Sequence, residues 1–243
     1  MRVGVQALPD RTPLGRGEAP PGHALAIGED SEGLPGIRFG LKADALDQSI
    51  SPANILIRRP VDDLPEDSKE PSISSGPEGT RQFEAAISGL KPDTLYYYSV
   101  SQNGEALSPP GETGSFRTLP VPGTARDGLF WVVGDSGTGN RVQAEVHTAM
   151  RDWLKKGKRT LDGYLHVGDM AYGSGLDSEF QGYFFESYAE TLRDTVCWPA
   201  MGNHEGRHSS GATATGPYYD AYVCPAIAQS GGVASGTEAY YSF

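Results

Sequence analysis

Three short stretches of this 243-residue chain place oxygen donors directly after glycine: Gly134-Asp135-Ser136-Gly137, Gly168-Asp169-Met170-Ala171-Tyr172 and Gly202-Asn203-His204-Glu205. Asp135, Asp169 and Asn203 are evenly spaced, 169 − 135 = 34 and 203 − 169 = 34 residues, about one strand–helix–strand repeat each. Two carboxylates and an amide oxygen brought to one place repel each other unless a cation neutralises them. Hard oxygen donors with an imidazole nearby suit a dinuclear centre of iron, manganese or zinc type. Two such ions about 3.5–4 Å apart can share one carboxylate and clamp an in-line displacement at phosphorus.

The first stretch, read alone, allows other chemistry. GDSG surrounds the nucleophile of chymotrypsin-like serine proteases, GDS opens one group of serine esterases, and a glycine-rich turn after a strand suggests a phosphate loop. Each fails on its neighbours. A protease of that kind needs its histidine before the serine, and only His23, in an N-terminal tail, precedes Ser136. The esterase pattern needs a later Asp-x-x-His, which the chain lacks. A phosphate loop needs Gly-Lys-Ser/Thr where Gly139-Asn140-Arg141 stands. The chemistry moves one residue back, to the Asp135 carboxylate, with Gly137 and Gly139 expected to leave room for a phosphate.

The elements that must position these residues have α/β grammar. Leu129–Val133 is an apolar strand. Val142, Val146, Met150 and Trp153 or Leu154 recur at helical spacing, with Asn140 as N-cap and Gly157 as stop. Tyr164–Val167 is the next strand. Phe180, Phe184, Tyr188 and Leu192 lie on a second helix capped by Asp177 or Ser178, and they read as a helix face rather than a substrate platform. Val196–Met201 is a third strand. The order β-α-β-α-β predicts a parallel sheet with right-handed crossovers, and ligands collect at the carboxyl ends of such strands. His147 and His166 read as structural, and Glu205 either orients His204 or is solvated.

The preceding half has different grammar. Gly36–Gly40, Ala53–Arg58, Arg81–Ile87, Leu95–Ser101 and Gly114–Thr118 are short strands separated by turn signals, which predicts a β-sandwich. The run LKPDTLYYYSV resembles the corner of fibronectin type III domains in which a tyrosine hydroxyl bonds back to the backbone. Alternation sets Tyr96 and Tyr98 on one face and Tyr97 on the other, leaving the corner residue open. The reading is therefore an irregular tail over 1–24, a sandwich over 25–119 with no opening strand visible before Ile37, a linker over 120–127 and an α/β domain over 128–243.

Composition narrows the partners. A net charge of −11 argues against nucleic-acid binding. No apolar run reaches membrane-span length, and the first residues lack the apolar core of a signal peptide. Cys197 and Cys224 are too few for a thiolate zinc site. They read as small buried thiols, with a single disulfide as the alternative.

Taken in order, GDSG, GDMAY and GNHE resemble the first three blocks of purple acid phosphatases, within the calcineurin-like metallophosphoesterases, and the resemblance runs from about Gly36 to Phe243. It implies a fibronectin type III-like sandwich followed by the first βαβαβ half of the catalytic fold. It implies an Fe(III) paired with Fe, Zn or Mn(II). Asp135 and Tyr172 would hold the ferric ion, Asp169 would bridge, and Asn203 would hold the divalent ion. His204 would touch the phosphate or protonate the leaving oxygen, with a metal-bound hydroxide as nucleophile. A phosphorylated small molecule is the expected substrate and a secreted or extracytoplasmic location the expected setting. The later VxxH and GHxH blocks of the family have no match; after His204 only His208 follows, in a flexible-looking loop. The chain thus reads as stopping partway through the catalytic fold, and is expected to bind metal poorly and turn over little substrate. The alternatives are a non-catalytic binding or adhesion protein, an inactive relic, or a phosphodiesterase with the same blocks.

Overall fold

The computed structural model describes residues 2–3, 24–27, 35–50, 54–57, 81–84, 87–102, 105–107, 114–228 and 230–243. The chain forms two compact units, the second beginning at Arg126 and closing at Tyr222; Val223–Phe243 groups with the first. Most of the expected tail over 1–24, and the segments 58–80 and 108–113 between the expected strands, lie outside the described residues.

The first unit contains two antiparallel sheets. One has the order β1 (Arg2–Val3), β2 (Ala24–Ile27), β6 (Arg81–Glu84), β5 (Asn54–Ile57). The other runs β4 (Gln48–Ile50), β3 (Pro35–Gly40), β7 (Leu95–Gln102), whose far edge pairs with both β8 (Glu105–Ala106) and β9 (Gly114–Arg117). All five expected strands are present, and β1 and β2 supply pairing before Ile37 where the sequence pattern showed none. Alternation along β7 buries Tyr96, Tyr98 and Val100 with Ile37, Phe39 and Phe116, as period-2 packing on one face requires. Tyr96 stacks on Phe116 at 5.7 Å, and its hydroxyl accepts the Lys91 N–H at 2.9 Å. Tyr96 therefore makes a back-bond of the kind whose residue the sequence left open.

The second unit has a three-stranded parallel sheet in the order β10 (Phe130–Val133), β11 (Gly163–His166), β12 (Cys197–Pro199). Helix α1 (Arg141–Gly157) links the first two strands, with Asn140 accepting the Gln143 N–H as expected of an N-cap. Gly157 is the last helical turn rather than the stop; Lys158 takes the left-handed C-cap at φ 49°.

The buried face of α1 differs from the expected apolar stripe. Val142, Val146 and Trp153 are exposed, while Gln143 and His147 are buried. The reason is hydrogen bonding. Gln143 accepts the Gly139 N–H at 2.7 Å and donates to the Tyr183 carbonyl, and His147 Nε2 meets Thr191 Oγ1 at 2.8 Å. These residues recur at i and i+4, so the helix docks through its polar face and satisfies groups that would otherwise be buried unpaired.

The expected second helix is three pieces: α2 (Asp177–Glu179), a π-helical turn over Phe180–Phe185, and α3 (Ala189–Leu192). Neither Asp177 nor Ser178 caps it. Instead Glu179 reaches back and accepts the N–H groups of Gly173, Ser174 and Leu176 at 2.7–2.9 Å. Phe180, Phe184 and Tyr188 are fully buried with Tyr164 and Tyr218, the last on α4 (Pro217–Ala221). Trp131 stacks on Tyr164 at 4.5 Å. This aromatic core covers one face of the sheet; on the alternate positions Phe130 and Val132, and beyond β11 Val167, remain exposed.

Candidate metal centre

Just past the carboxyl ends of the three strands, three turns form a rim. The first two are stitched by backbone bonds: Asp135 N–H to the Gly168 carbonyl, Gly137 N–H to the Asp169 carbonyl, and Tyr172 N–H to the Gly137 carbonyl, all 2.9–3.1 Å. Asp135 and Asp169 both adopt left-handed backbone, φ 52° and 58°. Aspartate tolerates this conformation better than most residues, and such strained positions cluster at functional sites. The glycines make this close approach possible, though not for a phosphate. A Cβ on Gly137 would overlap the Met170 carbonyl, one on Gly139 the Tyr183 ring, and one on Gly202 the Asp169 carboxylate. The room expected for substrate is filled by the neighbouring turns and by Tyr183.

At the rim the Tyr172 hydroxyl lies 3.0 Å from Asp135 Oδ1 and 3.2 Å from Asp169 Oδ2. One phenol thus joins carboxylates that start 34 residues apart. Burial first, then the hydrogen bond and charges of Asp135 and Asp169, push the phenol well above its ordinary range, so it is the proton donor between two acceptors. His204 completes the cluster: its N–H donates to Asp169 Oδ1 at 3.1 Å, and its ring sits 4.2 Å from that of Tyr172. Its Nδ1 meets the Gly173 carbonyl at 2.8 Å; a carbonyl only accepts, so Nδ1 carries a proton. Arg207 donates to the same carbonyl oxygen at 2.9 Å. Asn203 lies exposed between Gly202 and His204, and no hydrogen bond joins its side chain to the aspartates among the described residues. Hydrogen bonds and a ring contact thus join Asp135, Asp169, Tyr172 and His204, and the Asn203 side chain is not part of that network among the described residues.

Glu205 is not solvated. It is 0% exposed. Its Oε1 accepts the N–H groups of Met170 and Ala171 at 2.8 and 2.9 Å, and its Oε2 those of Asp169 and Gly202 at 2.9 Å. The backbone amides that might have cradled a phosphate are occupied by a carboxylate of the chain itself. His208, in the loop that looked flexible, bonds through Nδ1 to the Ser174 carbonyl at 2.8 Å, and Ser210 pairs with Thr215.

Ser136 is also accounted for. The Gly168 N–H points at His166 Nδ1, 3.3 Å away, which leaves Nε2 to carry the proton and donate to Ser136 Oγ at 2.9 Å. A histidine in that tautomer cannot take a proton from the serine, so the pair is no nucleophile and base. Burial lowers the His166 pKa to about 4, keeping the ring neutral.

No family model and no curated protein matches the sequence. Among solved structures, the purple acid phosphatase PPD1 from yellow lupin (Lupinus luteus) seeds is similar, with a TM-score of 0.59 and 15% identity over 84% of this chain and 38% of that one. The fold is purple-acid-phosphatase-like. The chain spans well under half the length of this neighbour, so the likeness extends to architecture alone. Among the described residues, no group of three or more His, Cys, Asp or Glu side chains is arranged to hold an ion. No described helix is long and apolar enough to cross a membrane. Cys197 and Cys224 form no disulfide, which corrects the disulfide alternative.

Proposed function

We propose that this chain carries part of the centre of a metal-dependent phosphoester hydrolase, with Asp135, Asp169 and Tyr172 holding one cation and Asp169 and Asn203 contributing to a second. The observation that carries the reading is the phenol of Tyr172 held between two left-handed aspartates. Three oxygen donors that converge, two of them anionic, fit a hard trivalent or divalent cation. The first position thus has three protein oxygen ligands and the second two, with none from the VxxH and GHxH blocks that the resemblance implies for a complete centre. When bound, such ions supply Lewis-acid polarisation of a phosphoryl oxygen and an acidified water. The chain's own residues would do the rest. His204 stands beside the ligand cluster with Nδ1 fixed on Gly173, leaving Nε2 for a substrate or leaving-group oxygen. The exposed Arg207 shares that carbonyl and would add positive charge for a phosphomonoester in an otherwise acidic protein.

The antiparallel unit would be a fibronectin type III-like sandwich. Support comes from its strand orders, β1-β2-β6-β5 and β4-β3-β7-β9, which match A-B-E-D and C′-C-F-G of immunoglobulin-like sandwiches, and from the Tyr96 back-bond. An extracytoplasmic location follows from the resemblance. The non-catalytic reading, a binding or adhesion protein or an inactive relic, is favoured by one observation: among the described residues no group of three or more His, Cys, Asp or Glu side chains is arranged to hold an ion.

Titration of the purified chain with ferric citrate separates the two readings. The metal-centre reading expects about one Fe(III) per chain and a visible tyrosinate charge-transfer band that Tyr172→Phe abolishes. A chain that takes up no iron, or a band unchanged in Tyr172→Phe, refutes the assignment.

A further inference from the structure

Glu205 is the one fully buried carboxylate of the second unit's rim, and no step of the proposed chemistry uses it. Its position is unusual in that all four of its hydrogen bonds come from main-chain N–H groups of two different turns. Three belong to Asp169, Met170 and Ala171, on the turn after β11; the fourth belongs to Gly202, on the turn after β12. Main-chain donors converging on one point make an anion nest, and here the anion is built in. A buried carboxylate is tolerated only when its acceptor sites are filled, so this side chain and the two turns fix one another.

The consequence reaches the candidate ligands. Asp169 is bound to Glu205 through its own N–H, and its Oδ1 is bound by the N–H of His204, the residue preceding Glu205. Oε2 receives the Asp169 and Gly202 N–H groups together, which brings the second and third rim turns to the contact where a Cβ on Gly202 would strike Asp169. The direction of the Asp169 carboxylate toward Tyr172 is therefore set from behind by Glu205.

We infer that Glu205 is a positioning residue for the metal centre: its carboxylate locks the turn carrying Asp169, and through it the cation affinity of the Asp135–Tyr172–Asp169 cluster. Glu205 itself stays buried and touches neither cation nor substrate. This inference rests on the metal-centre reading above. Glutamine is the informative replacement, because it keeps size but turns one acceptor into a donor facing main-chain N–H groups.

The test is ferric-citrate titration of the full chain, following the tyrosinate band, for wild type, Glu205→Gln and Leu192→Ala. Leu192 packs against the aromatic core and has no bond to the rim, so it controls for lost stability. The expected result is at least a tenfold weaker apparent Fe(III) affinity in Glu205→Gln and wild-type affinity in Leu192→Ala at comparable loss of melting temperature. Wild-type affinity in Glu205→Gln, or equal weakening in both variants, overturns the positioning role while leaving the metal centre standing. No band in wild type overturns the metal-centre reading and this inference together. Should Glu205→Gln not fold, Glu205→Asp gives the same comparison, since it keeps the charge but is one methylene too short to span both turns.

Discussion

Single residues at the rim are specified by hydrogen-bond roles that their types allow. His166 shows this best. It accepts from Gly168, donates to Ser136 and is held neutral by burial. Its folded pKa of about 4 lies below the ordinary value of 6.5, so the unfolded chain binds the proton first as pH falls. Above pH 6.5 the group contributes nothing to pH dependence. Between 6.5 and about 4 it destabilises the fold progressively, and below 4 the loss is complete, about 3 kcal/mol at about 1.4 kcal/mol per unit. His147, lowered by burial and by Arg151, acts with the same sign. Urea unfolding followed from pH 7 to pH 4 should show this loss, and His166→Gln should flatten it. A wild-type midpoint constant over that range would refute the buried neutral ring.

Elements are held at the rim by close approach of turns rather than by strand length. Gly137 packs so tightly on Met170 that any side chain must move one turn away from the other. Gly137→Ala is expected to cost about 1–3 kcal/mol, in the range of other overpacking changes. It should also perturb the Asp169 side chain, because Gly137 N–H bonds the Asp169 carbonyl. Thermal unfolding checks the first expectation, and loss of the ferric tyrosinate band checks the second. A variant as stable as wild type would show that these turns have slack. The π-helical turn over Phe180–Phe185 works at the same scale: its side chains fill the core under the sheet while Glu179 ties its start to the turn after Tyr172.

At the scale of the molecule, two units of different grammar share one acidic chain. Their cysteines fall one in each, Cys197 in the parallel unit and Cys224 in the other, and they form no disulfide. Melting temperature should therefore be the same with and without reductant. A drop on reduction equivalent to about 2–4 kcal/mol, the usual contribution of a disulfide, would show that a disulfide forms after all. The bare positions Phe130, Val132 and Val167 belong to this scale too. Parallel sheets are ordinarily covered on both faces, and among the described residues this one is packed on the aromatic side, with Phe130, Val132 and Val167 exposed on the other.

Sequence alone determined what depends on period and type. The two-residue alternation of Tyr96, Tyr98 and Val100 fixed the core face of β7, and the apolar runs ending in Gly-Asp, Gly-Asp and Gly-Asn fixed three parallel strands and the residues beyond their ends. Evenly spaced Asp135, Asp169 and Asn203 marked the rim because a repeated strand–helix unit returns the chain to the same edge. What only the tertiary structure decided depends on partners distant in sequence. The polar face of α1 won burial because Gln143 and His147 found Tyr183 and Thr191, about 40 residues away, and no local pattern announces that. Glu205 looked like a residue beside His204; its four donors lie on turns that meet only when β11 and β12 pair. The serine of GDSG lost its claim for the same reason, since the imidazole it touches comes from the adjacent strand, in a tautomer set by the backbone of Gly168.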